Sequence, residues 1–516
     1  MKLRGADVLA RSIAAAGLRR VFALSGNHIM PVYDAALDAA LDIVHVRHEG
    51  AAVHMADAWA RTTGQTGIAL VTGGPGHANA VGALYTALAA ESPVVLLSGH
   101  APLNELGKGA FQEMRQAELA APVVKAAWTA QSAQTLGDDL ARAVRTANAG
   151  RPGPVHLSLP SDVLDALTEG GVPEPGAFAS SPAPMDERTK DEVLQAIGAA
   201  ARPLLIAGPQ FARRGGRAVL ADFEAASGIP AFVMESPRGV NDPALGLLAE
   251  VLAKADCVFL LGKQADFTLR FGAAFAPGCR VLALAEGAEA MPALRQLGTL
   301  PKRSGDWLRE VRAALAYRTP SWATLKSAAQ GPLHPVELCR EVQKLLDAKR
   351  DGVLVSDGGE IGQWAQACLS APHRLINGVA GAIGPGLPFA IAAKLALPRS
   401  TVVAMMGDGT CGFHIAEFDT AARYGLPFVA VVGNDATWNA EYQIQLRSYG
   451  ESRAHGMALA PQTRYDRVAQ ALGGHGEFVE CPDQLSGALE RAVSSGKPAC
   501  VNVLIERHPA PVCRSG

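Results

Sequence analysis

The feature that most narrows what this chain can fold into is a recurring unit: an apolar run of four to seven residues, a glycine-containing turn, then a longer stretch rich in Ala and Leu. Apolar runs without polar alternation suit strands buried on both faces, and helices between them make parallel βαβ crossovers. The unit recurs in three blocks. In the first, strands are expected near Val21–Leu24, Ile43–Val46, Ile68–Thr72, Val94–Ser98 and Val155–Leu159, with helices such as Gly50–Thr62 and His77–Ala89. A stretch with no period, Leu167 to Asp191, reads as a linker. The second block carries runs at Leu204–Ala207, Ala231–Met234, Cys257–Leu261 and Arg280–Leu284. After an irregular stretch from Tyr317 to Leu333, the third has Val353–Ser356, Val402–Met406, Phe428–Val432 and Cys500–Ile505. The expected fold is α/β, three consecutive doubly wound parallel-sheet domains over 1–166, 192–316 and 334–516.

Charge excludes some function classes. With 49 acidic against 47 basic residues and no basic run, the chain lacks the footprint of a nucleic-acid binder. No apolar stretch approaches the length of a membrane span and no signal core opens the chain, so a soluble, cytoplasmic protein acting on small molecules is expected. The eight cysteines are scattered without CxxC or zinc spacing and read as reduced.

The densest chemistry lies in block three. The run Val402–Met406 leads into Gly407-Asp408-Gly409-Thr410, and Phe428–Val432 into Gly433-Asn434-Asp435-Ala436-Thr437. Neighbouring parallel strands open their C-terminal ends onto one crevice, so Asp408 and Asp435 face each other although 27 positions apart. Two carboxylates beside glycines suit Mg²⁺, which takes one or two carboxylates plus phosphate oxygens and water. The N–H groups of the helix after Gly409 would assist a diphosphate. An ordinary turn explains either motif alone, but much less readily the pair.

This pair of motifs resembles the thiamine diphosphate (ThDP) binding motif, and the three-block layout is similar from end to end to the decarboxylase and acetolactate synthase superfamily. The resemblance implies a pyrimidine-binding, a middle and a diphosphate-binding domain, in that order. It also implies diphosphate contacts from Gly407, Asp408, Gly409, Thr410, Asn434 and Asp435, and Mg²⁺ held by Asp408, Asp435 and the carbonyl of Thr437. Asp435 departs from the Asn commonest in the family; it keeps the oxygen and adds a negative charge.

The same resemblance assigns the catalytic carboxylate that activates the aminopyrimidine to Glu49, in Val46-Arg47-His48-Glu49-Gly50. The helix dipole alone would also favour an acid there. Gly381-Ala382-Ile383-Gly384 resembles the loop whose apolar residue, here Ile383, props the cofactor bent, with Gly381 offering a carbonyl to the pyrimidine amine. Gly73-Gly74-Pro75-Gly76-His77-Ala78-Asn79 is similar to the turn beside the pyrimidine pocket, implicating Gly73, Gly76 and Asn79. Phe111, Gln112 and Lys125 match an acetolactate synthase segment lining the substrate entrance, and His28 sits where benzaldehyde-lyase-like members place a histidine against the reacting carbon. His28 and Gln112 therefore join Glu49 as catalytic candidates; His77 and His100 are weaker. Trp438, Glu441 and Gln445 are candidates for shaping the acceptor pocket.

The middle block resembles a segment that carries FAD in acetolactate synthases and a nucleotide in acyl-CoA-processing relatives, though many members keep it empty and no dinucleotide fingerprint is present. About eleven residues follow the last expected strand, which leaves little for a C-terminal lid. The implied activity is ThDP- and Mg²⁺-dependent carboligation, decarboxylation or cleavage of 2-oxo acids or 2-hydroxy ketones through an enamine, acetolactate synthase-like. A benzaldehyde-lyase-like or 2-hydroxyacyl-CoA lyase is the alternative within the class, and a non-catalytic ThDP-binding homologue the alternative outside it. Family members form homodimers or homotetramers with sites between subunits.

Overall fold

The computed structural model describes residues 2–181, 184–283, 290–297, 300, 302–348 and 351–514. Two compact units build from them: Met1–Glu192 with Ala207–Val219 and Ala283–Thr299, and Val193–Ile206 with Leu220–Leu282 and Leu300–Gly516.

The first unit is organised on a six-stranded parallel sheet: β1 (Arg20–Ala23), β2 (Asp42–His45), β3 (Gly67–Val71), β4 (Val94–His100), β5 (Ala127–Thr129) and β6 (Val155–Pro160), in the order β2-β1-β3-β4-β6-β5. β3, β4 and β6 are buried throughout; β3 is apolar along its length, whereas β4 and β6 bury Ser98, His100, His156 and Ser158 along with their apolar residues. Leu70, Leu97 and Leu157 meet Leu9, Ile13 and Leu140 from the covering helices in one core.

The second unit carries two sheets. The first has four strands, β7 (Pro203–Ala207), β8 (Ala231–Val233), β9 (Cys257–Leu261) and β10 (Arg280–Ala283), in the order β8-β7-β9-β10. The other is parallel and six-stranded, with β11 (Val353–Ser356), β12 (His373–Ile376), β13 (Val402–Gly407), β14 (Val429–Asn434), β15 (His475–Val479) and β16 (Ala499–Leu504) in the order β12-β11-β13-β14-β16-β15. The two six-stranded sheets share one order, since the crossover after the second strand and the swap of the last two recur. No described helix is long and apolar enough to cross a membrane.

The expected strands of all three blocks are present within a residue or two; Leu284, the last residue of one, lies outside the described residues. Within the four- and six-stranded sheets, three of the described strands have no counterpart in the apolar runs. β5, β12 and β15 are edge strands with a neighbour on one side only, and their half-exposed residues need no apolar run. The expected linker is also partly structured. Leu167–Thr168 pairs antiparallel with Leu3–Arg4, Pro175–Phe178 forms a 3₁₀ turn that buries Phe178, and a helix begins at Glu187. A two-residue pairing is too short to print a period.

Candidate active site

In the second unit, Gly407 at the end of β13 lies opposite Gly433 in β14. The chains leaving those strands carry Asp408 and Asp435 into one cavity of about 60 Å³, lined also by Ile383, Thr410, Thr437 and Trp438. Gly409 is required by its neighbour, because a Cβ there would lie 2.6 Å from the Trp438 ring. Ala436, at φ 54°, takes a left-handed turn directly after Asp435, and Gly409 N–H donates to Asp408 Oδ1 at 2.9 Å.

Both acids are held off the ordinary carboxylate range. Burial pushes Asp408 up to about 6, against the opposing pull of N–H bonds from Gly409, Ala436 and Thr437. Burial and then the charge of Asp408 push Asp435 up to about 7, with Arg507 pulling the other way. A buried and a half-buried carboxylate, the first raising the proton affinity of the second, lie beside Thr437 and form an oxygen donor set for a hard cation. The residues fit Mg²⁺.

Asn434 has another task than lining the cavity. Its Oδ1 accepts from Ala436 N–H at 3.2 Å, and its Nδ2 donates to Thr463 O at 3.3 Å and Asn502 Oδ1 at 3.2 Å, bracing the turn. A residue outside the motifs proves central: Asp357, directly after β11, is fully buried and pushed up to about 7 by that burial. It accepts from Gly386 N–H at 2.6 Å and Gly384 N–H at 3.1 Å, which fixes the turn behind Ile383. The signal was available in Asp357-Gly358-Gly359 after an apolar run, the same strand-end pattern as Gly407-Asp408-Gly409. Gly381 takes φ 67°, a left-handed conformation suited to glycine.

In the first unit, Glu49 opens helix Glu49–Thr63, whose first turn is capped by His48 Nδ1 accepting from Gly50 N–H at 3.0 Å. Asn79 Nδ2 donates to Glu49 Oε2 at 3.1 Å. A Cβ on Gly76 would stand 2.8 Å from Thr72 Cγ2 and 3.2 Å from Glu49 Oε1, so this glycine lets the Thr72–Gly76 turn close on the carboxylate. Gly73 is likewise confined, its missing Cβ lying 2.7 Å from Gly99 O. Glu49, Gly76 and Asn79 thus form one cluster.

His28 lies beside it, buried, with Nδ1 3.4 Å from Thr72 Oγ1 and its ring stacked on exposed Phe111 at 6.1 Å. Burial, with the nearby His100, lowers its proton affinity, so the ring is neutral at pH 7. Gln112 follows at φ 57°, packed on Gly74, and its buried Oε1 has no hydrogen-bond partner among the described residues. An unpaired amide oxygen in a left-handed backbone is a costly arrangement that a ligand donor would relieve.

Other candidates are structural. Lys125 turns away, its Nζ donating to Thr146 O at 2.5 Å and to Ala149 O, so it caps helix Leu136–Asn148 and does not line an entrance. His77 is engaged by Ser98 Oγ at 2.9 Å and Gln116 O at 3.0 Å, and His100 by Ala101 O at 3.1 Å and Met114 O at 3.0 Å. In the second unit, both ends of the Gln445 amide hold the His455 backbone, whereas Glu441 lines the Asp408 cavity with Trp438.

Residues 3–119 match the family model for the N-terminal binding domain of thiamine pyrophosphate enzymes, and residues 357–503 the model for the C-terminal binding domain. The chain is 33% identical to a probable acetolactate synthase of Mycobacterium bovis, over 97% of this chain and 95% of that protein. It is 29% identical to 2-hydroxyacyl-CoA lyase 2 of Homo sapiens, over 98% and 90%. Acetolactate synthase isozyme 3 large subunit of Escherichia coli matches at 29% over 95% and 92%. With both family models matched and a relative at this identity along nearly the whole chain, the protein belongs to the acetolactate synthase-like family of thiamine diphosphate enzymes, which make or break carbon–carbon bonds.

Proposed function

We propose that the protein is a ThDP- and Mg²⁺-dependent carboligase of the acetolactate synthase type, acting on a 2-oxo acid donor. The Asp408 and Asp435 pair carries the reading, because it supplies the oxygen donors that a metal-bound diphosphate needs. Bound there, ThDP supplies a carbanion equivalent that adds to a carbonyl. Asp408, Asp435 and the Thr437 carbonyl would hold the cation; Gly407, Gly409 and Thr410 would border the diphosphate, and Ile383 would press against the cofactor. Glu49, aimed by Asn79, would exchange a proton with the aminopyrimidine. Gln112 and His28 would meet the substrate: the amide orients it by hydrogen bonding, and the neutral imidazole accepts or returns a proton. Gly73 and Gly381 complete the reading as close-approach positions.

The proposal extends to domains over 1–166, 192–316 and 334–516, to a homodimer or homotetramer in which the first domain of one protomer completes the third domain of another, and to a cytoplasmic location. A second reading, a 2-hydroxyacyl-CoA lyase, is favoured by one observation: Lys125, an entrance residue in the synthase resemblance, caps a helix instead. Purified protein with ThDP and Mg²⁺ is offered pyruvate, benzoin and a 2-hydroxyacyl-CoA. Acetolactate from pyruvate supports the first reading; acyl-CoA cleavage without acetolactate replaces it with the second. The visible spectrum of the same preparation reports whether FAD is present.

A further inference from the structure

Behind the cavity, and independent of the reading above, two histidines and a glutamate converge from opposite ends of the third block. Leu333 pairs with Ile505 in a parallel bridge, with Leu333 N–H donating to Leu504 O at 2.9 Å and Glu506 N–H to Leu333 O at 2.8 Å. This register sets His334, at the start of helix Pro335–Asp347, beside Glu506 and His508, which follow β16. The rings of His334 and His508 stand 4.2 Å apart, and His508 Nε2 lies 2.6 Å from Glu506 Oε2. One ligand atom from each residue falls within 4.8 Å of the others. The surroundings hold the set in place: Trp364 packs edge-on against His334 at 5.4 Å and donates its indole N–H to Pro509 O at 3.0 Å, and Asn439 Nδ2 donates to His508 O at 2.9 Å.

We infer that His334, Glu506 and His508 bind one borderline divalent cation of the Zn²⁺ class, clamping the segment after β16 to the start of helix Pro335–Asp347. Two imidazoles and one carboxylate suit Zn²⁺, Co²⁺ or Ni²⁺ rather than Mg²⁺, and three protein ligands leave a position for water. Donors about 2.0 Å from a tetrahedral centre stand about 3.3 Å apart, so small rotamer changes close the set. His334 is buried, but Glu506 and His508 are 39% and 35% exposed, which leaves an entry path.

Binding has one identifiable cost. His334 Nδ1 accepts from Val336 N–H at 3.1 Å, so in the metal-free ring the proton sits on Nε2. Ligation through Nε2 moves that proton to Nδ1 and removes the cap, a loss of about 1 kcal/mol that the metal bonds must exceed.

The test uses the whole protein, stripped with chelator and returned to excess Mg²⁺, which fills the oxygen-donor pair Asp408 and Asp435. Co²⁺ is then titrated in. One equivalent should bind with the intense visible bands of a tetrahedral nitrogen-containing site, and Zn²⁺ should bleach them and raise Tm. His334→Asn, which keeps a capping oxygen, and His508→Ala should each weaken Co²⁺ binding at least tenfold while circular dichroism stays unchanged. Weak bands that Mg²⁺ abolishes, or strong bands that persist in both variants, would overturn the inference.

Discussion

Asp408 and Asp435 leave adjacent strand ends for one cavity, and the charge on the first raises the proton affinity of the second. Such a pair is unfavourable without a cation and favourable with one. Asp408→Asn should therefore lose most Mg²⁺-dependent ThDP binding, a change of at least about tenfold in Kd, while metal-free stability stays level or rises because a buried charge is gone. Calorimetric titration of ThDP with and without Mg²⁺ checks it, and wild-type affinity in the variant would remove this metal site.

The same pair sets a pH dependence. Both carboxyl groups titrate higher in the fold than in an unfolded chain, so their contribution to metal-free stability is present at low pH and is lost as pH rises through about 6 to 7. Mg²⁺ competes with those protons. Its stabilisation, read as a shift in Tm, should be small near about pH 5 and large near about pH 8; a shift independent of pH would contradict the coupling.

Asn79 donates to Glu49 at 3.1 Å, so the carboxylate is aimed as well as present. Glu49→Gln should keep ThDP affinity but lower kcat by roughly 10²–10⁴-fold. Asn79→Ala should lower kcat less, by about tenfold. Steady-state kinetics at saturating ThDP separate the two, and full activity in Glu49→Gln would end the assignment.

Gly409→Ala should displace the Trp438 ring, which lies 2.6 Å from where the new Cβ would fall. Overpacking of this kind costs about 1–3 kcal/mol. The expected result is a lower Tm together with weaker ThDP binding, because the ring lines the cavity. Trp438→Phe in the same background should recover part of both.

His77 is buried, its proton affinity lowered to about 4 chiefly by that burial. Burial lowers His156, whose ring centroid is 4.4 Å away, in the same direction. In an unfolded chain both would titrate near about 6.5. The unfolded state thus binds more protons below that pH, and the stability these rings contribute is present above it and is lost as pH falls toward about 4. Thermal melts from about pH 8 to about pH 4.5 should show this loss, and His77→Gln should flatten part of it.

The three-block α/β architecture and the acids at its strand ends are legible in the order of amino acids alone. Both are local signals: an apolar run marks a doubly buried strand, and a glycine-acid turn after it marks a ligand edge. Gly407-Asp408-Gly409 and Asn434-Asp435 could be found without coordinates for that reason, whereas Glu49 stood out only through the resemblance to the ThDP family. What depends on neighbours distant in the chain emerges only in the folded protein. The fold added the edge strands β5, β12 and β15, whose exposed faces print no apolar run, and it showed Lys125 capping a helix, a role fixed by where Thr146 and Ala149 end. It revealed Asp357 bracing the Ile383 turn. It also joined His334 to Glu506 and His508 through one bridge between Leu333 and Ile505. Residues that meet only through sheet register carry no spacing in the sequence, and their chemistry exists only once the strands are in place.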